Sequence, residues 1–102
     1  MTLGDLQQLV MLAVARLGRA AYGAAIREEL RQVAGRAVAV PTVYVTLVRL
    51  EERGMVESSE APRAAGEGGR ARRVFRLTPA GWRSLSEARD STQRMWRGVV
   101  QP

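Results

Sequence analysis

The sequence predicts a mainly α-helical chain carrying one small β-hairpin. Three observations predict it. Apolar residues recur at helical spacing through most of the first 54 positions. The period then changes to two short runs with β-branched and aromatic residues, separated by a turn containing Gly and Pro. Thr78-Pro79 finally restarts a helical pattern. At 102 residues, two full domains are not expected.

The first helix follows from Leu6, Leu9, Val10, Ala13, Val14 and Leu17, spaced as one helical stripe. Asp5 or Thr2 can cap its start, and Gly18 can end it. Leu3, Met11 and Leu12 lie off the stripe, so this helix needs cover on two sides. One cover is the core of the domain; the other is a partner chain or a neighbouring helix. The second helix has Tyr22, Ile26, Leu30 and Val33 at helical spacing, with Gly35 as its C-terminal cap. Gly23, near its start, lets another backbone or a phosphate approach closely. Residues 36–40 read as an extended connector with the composition of a short strand. Pro41 opens the third helix, whose inward stripe is Val43, Leu47 and Leu50 and whose end is Gly54. Thr42, Val45, Thr46 and Arg49 are expected on its outward face. Strands are predicted at residues 55–58 and 73–77, joined by a long basic tip. The last helix is predicted to run from Pro79 to about Val99, with Trp82 and Leu85 covering the domain. Leu85, Ala88, Thr92, Met95 and Val99 form a short heptad-like seam along it, with Trp96 beside.

Composition excludes much. All 16 basic residues are Arg, against ten acids, and the chain has no His and no Cys. Zinc fingers, haem ligation, disulfides and Cys or His nucleophiles are therefore ruled out, and no metal or cofactor is expected. The adjacent pairs Glu28-Glu29 and Glu51-Glu52 diverge on their helices, which argues against an enzyme. No apolar run approaches the ~18 residues of a membrane span, and the N-terminus is a poor signal peptide. The chain reads as soluble and cytoplasmic, with no membrane partner. Charge is asymmetric: residues 1–60 balance, whereas residues 61–102 hold nine Arg against three acids. That excess is densest in residues 63–76, a footprint for a polyanion or simply a solvated loop.

Two helices, a third, then a ribbon with a basic tip is the order of a winged helix-turn-helix. In such modules the third helix enters the major groove of DNA and other elements hold phosphates. Arg49 can offer a fork of donors to guanine or phosphate, Thr42 and Thr46 can hydrogen-bond, and Val45 can meet a thymine methyl. Tyr44 can pack its ring and turn its hydroxyl to phosphate, and Tyr22 packs in the core or contacts phosphate. Gly69 and Arg70, with Arg72 and Arg73, give the wing close approach and charge, although strand alternation turns only one of Arg72 and Arg73 to DNA.

These residues resemble the PadR-like transcriptional regulators. The resemblance rests on Ala21-Tyr22-Gly23 with Ile26, on Val43-Tyr44-x-x-Leu47-x-Arg49-Leu50-Glu51-x-x-Gly54, on Gly68-Gly69-Arg70-x-Arg72-Arg73, and on Phe75-Arg76-Leu77-Thr78-x-x-Gly81. Together these blocks span roughly residues 6–90. The family implies a homodimeric repressor on a pseudo-palindromic operator in double-stranded DNA. It divides the chain into a winged-helix domain, residues 1–78, and a C-terminal dimerisation helix, residues 79–102. Dimerisation would use Leu85, Ala88, Thr92, Met95, Trp96 and Val99, helped by Leu3 and Leu6 of the first helix. Some small relatives bind flat hydrophobic effectors at the dimer interface, where Trp96 serves as an anchor or lines a pocket. The competing reading is a protein-interaction adaptor on the same fold, with its basic wing on an acidic partner.

Overall fold

The computed structural model describes residues 3–62 and 72–102. Helix α1 spans Asp5–Leu17 and passes through a single 3-10 turn, Gly18–Ala20, to α2, Gly23–Ala34. Helix α3 spans Val40–Glu52, strands β1 (Val56–Ala61) and β2 (Arg72–Leu77) form an antiparallel ribbon, and α4 spans Pro79–Trp96. This is the predicted winged helix-turn-helix with a C-terminal helix.

The inward stripes supply the core. Val10 and Val14 of α1, Ile26 and Leu30 of α2, and Val43, Leu47 and Leu50 of α3 are all buried, and Val56 and Phe75 close it from the ribbon. The ribbon joins the helices through its backbone: the Phe75 amide donates to the Ala21 carbonyl at 2.9 Å. Ala21 thereby runs beside β2 and leaves the start of α2 next to the wing.

Met11, off the sequence stripe, is also fully buried. Its cover is a neighbouring helix of the same chain. Gly81 in the first turn of α4 lies against Met11 and the Met55 carbonyl, and a Cβ there would sit 2.1 Å from that oxygen. Thr78 holds this junction. Its hydroxyl accepts from the Gly81 amide at 3.0 Å and donates to the Gly54 carbonyl at 2.6 Å. Its own amide donates to the Met55 carbonyl. The end of α3, both strands and the start of α4 are thus joined at one point.

Several expectations are corrected. Gly4 and not Asp5 is the N-cap of α1, and Asp5 stands in the first turn, while Thr2, the other expected cap, lies outside the described residues. There its charge suits the positive helix end. Residues 36–39 form no strand, and α3 starts one residue early, at Val40. Strand β1 is longer than predicted and starts at Val56. Val33 is exposed instead of joining the core. Trp82 is 53% exposed instead of covering the domain. Its ring walls a groove of about 530 Å³ between the end of α1 and the ribbon, with Val14, Val74 and Leu77. Helix α4 ends at Trp96, and Gly98 takes a φ of 79° beyond it. Val99 therefore lies past the helix and not on its seam.

Candidate nucleic-acid interface

Helix α3 turns Thr42, Val45 and Arg49 outward, as expected from the inward positions of Val43, Leu47 and Leu50, and leaves Tyr44 partly exposed. Thr46 is the exception. It is buried, and its hydroxyl donates to the Thr42 carbonyl at 2.9 Å. A threonine hydroxyl that bonds back to the preceding turn is satisfied without water, so it can face inward. It is not available to a base. Val48, which sequence reasoning passed over, stands exposed on the same helix beside Val45. Its signal was the absence of a polar residue at an outward position.

Arg49 is exposed and makes no ion pair among the described residues. Asp5 pairs with Arg36. Away from this helix, Arg31 donates to Glu28 and holds that carboxyl below its usual range, and Glu28 in turn raises Arg31. Those two charges are directed at each other.

Tyr44 links three elements. Its ring occupies the space beside Gly23, where a Cβ would come within 2.4 Å of it. The same ring meets Phe75 edge-on, with centroids 6.4 Å apart and planes at 64°. The absent side chain at Gly23 thus admits an aromatic ring of α3, which brings the Tyr44 hydroxyl to the start of α2. That start has no side-chain cap: Tyr22 is the N-cap but makes no capping bond through its side chain, and no acid stands in the first turn. First-turn amides with no side chain capping them, at the positive end of a helix, attract an anion.

Tyr22 carries the flank on to the wing. The Arg72 guanidinium stacks over its ring, 4.1 Å from the centroid. Arg73 points elsewhere, donating to the Ser58 hydroxyl at 2.9 Å near Glu60, while Ser58 donates to Glu51 at 2.7 Å. Arg76 pairs with Glu57 at 2.6 Å. The two arginines that alternation separates are therefore distinguished: Arg72 lies with Tyr22, and Arg73 lies among the acids of its own ribbon. Gly69 and Arg70, expected at the wing tip, fall outside the described residues.

The residues expected at a dimer interface divide. Leu85 is buried within its own chain, and Leu3 and Leu6 pack partly against the core. Ala88 is half-buried, while Thr92, Met95, Trp96 and Val99 are exposed. The molecule measures 54 × 28 × 20 Å along its principal axes.

This arrangement matches known proteins over most of its length. The sequence model of the PadR-like transcriptional regulators fits residues 11–87. The chain belongs to the PadR-like family. A Mycobacterium tuberculosis protein, transcriptional regulator Rv3488, is 39% identical over 79 residues, which are 78% of this chain and 69% of that one. A PadR-family transcriptional regulator from Eggerthella lenta superposes with a TM-score of 0.68 at 31% identity, covering 93% of this chain and 82% of its own. A PadR-like transcription factor from Bacteroides fragilis gives 0.71 at 25% identity, over 88% and 82%. PadR-like proteins are transcriptional regulators and not enzymes. Among the described residues no helix is long and apolar enough to cross a membrane.

Proposed function

We propose that this PadR-like chain is a homodimeric repressor working in the cytoplasm on a pseudo-palindromic operator in double-stranded DNA. Residues 1–78 would read and hold the duplex, and residues 79–102 would pair the protomers. The observation that carries this reading is the continuous flank from Thr42, Val45 and Arg49, through Tyr44 and Gly23, to Tyr22 and Arg72. A base-reading helix, an uncapped helix start and a wing arginine on adjoining elements are what a duplex requires. The exposed stretch of α4 with Thr92, Met95 and Trp96 supports pairing, with Leu3 beside Ala88 and Thr92 and Leu6 of α1 packed partly on the core. A flat hydrophobic effector seated beside Trp96 in that interface would release the operator by changing the spacing of the two α3 helices, which should be roughly 34 Å.

Titration of the dimer with a selected duplex at rising salt tests the proposal. The logarithm of affinity should fall by about 0.9 per phosphate neutralised for each unit of log salt. Arg49→Ala should flatten the preference among duplex sequences, whereas Arg72→Ala should weaken all duplexes alike. Binding without salt dependence, or no duplex binding at all, would leave the adaptor reading in its place.

A further inference from the structure

We infer that Val45 and Val48 of α3 each read a thymine methyl, so that every half-site of the operator carries two A·T pairs side by side. The inference rests on the DNA-binding reading above and adds what the helix recognises.

Pro41, Val45 and Val48 fall at i, i+4 and i+7, an apolar line on the outer side of α3. Val45 is 50% and Val48 51% exposed. The core does not use them, because Val43, Leu47 and Leu50 already fill the inward side of this helix. Helix formation does not ask for them either, since β-branched residues are stiff and slightly disfavoured there. An isopropyl group neither donates nor accepts a hydrogen bond. Of the groups that base edges present in the major groove, the thymine methyl is the apolar one. Stiffness then helps, because a β-branched side chain has little rotamer freedom left to lose on contact.

Spacing fixes the arrangement. Residues three apart on a helix face hold their Cβ atoms about 5–6 Å apart. Bases along one strand are separated by about 3.4 Å. Helical twist adds to that rise at the groove edge, where adjacent methyls stand about 5 Å apart, so two valines at that spacing reach neighbouring base pairs and not distant ones. The occupant is set by charge. Arg49 flanks the valines with no ion pair among the described residues, Thr42 precedes them, and Arg72 stands further along the same flank. That surface suits a polyanion with apolar points in its groove. Arg49 lies four residues after Val45 and directly after Val48, so its fork meets a base or phosphate next to the two methyls.

The test starts with selection of duplexes from a random pool by the full chain. Each thymine of the selected site is then replaced by uracil, which removes only the C5 methyl. Two neighbouring positions per half-site should each lose about fourfold in affinity, the worth of one methyl-sized group. Val45→Ala should abolish the sensitivity at one position and Val48→Ala at the other. Both sites are exposed, so unchanged thermal unfolding confirms that the variants remain folded. If uracil duplexes bind as well as thymine duplexes, or if both variants keep full sensitivity, the methyl reading is overturned while DNA binding stands. A selected site without adjacent A·T pairs overturns it too. If no duplex is enriched, the proposed function itself falls.

Discussion

The two ends of α4 differ more than any two helices of this molecule. Its first turns are anchored to the rest of the chain: Thr78 caps them, Gly81 lies against the Met55 carbonyl, and Leu85 is buried. Its last turns touch little, and Met95 is 77% and Trp96 58% exposed. One continuous helix therefore completes the protomer with its first two turns and carries Met95 and Trp96 exposed at its outer end. In the proposed dimer, fold stability and self-association would fall to different stretches of the same element, and substitutions should separate them.

The largest effect is expected at the inner end. Gly81→Ala places a Cβ on a backbone oxygen that is already bonded to the Thr78 amide. Overpacking against backbone should lower stability by about 3 kcal/mol, read as a lower urea midpoint. An unchanged midpoint would mean that α4 is not seated on Met55. At the outer end, Trp96→Ala should weaken self-association by about 2 kcal/mol, as for an aromatic anchor, in sedimentation across a concentration series. Stability of a dilute protomer should stay the same, and a loss there instead would erase the distinction between the two ends. The smallest change is Thr78→Ala, which removes one cap and should cost about 1 kcal/mol in the same unfolding experiment without altering association.

The contrast also explains what the sequence could reveal. The inward stripe of α3 was legible because Val43, Leu47 and Leu50 repeat at the helical period, and the ribbon because the period changed after Gly54. Thr46 was misread because a hydroxyl counts as outward-facing by polarity, whereas the carbonyl four residues earlier satisfies it inside. Met11 lay off the stripe because its cover arrives 70 positions later, at Gly81, a distance that no local pattern records. Trp82 misled by its type: a large apolar ring was assigned to the core, but the wall of a surface groove received it. At the candidate interface, Arg49 and Tyr44 were legible as positions. That Tyr44 answers Gly23, and that Arg72 and not Arg73 accompanies Tyr22, depended on contacts between segments far apart in the chain.

The Tyr44 ring has a mechanical consequence. It lies between the first residue of α2 and Phe75 of the ribbon, like a cog seated against two others. Rolling α3 about its own axis would drive that ring into the start of α2 or pull it from Phe75. A torque delivered to either neighbour would therefore reach the outward residues of α3, and on the proposed reading it would loosen the grip on a duplex without any ligand touching that surface.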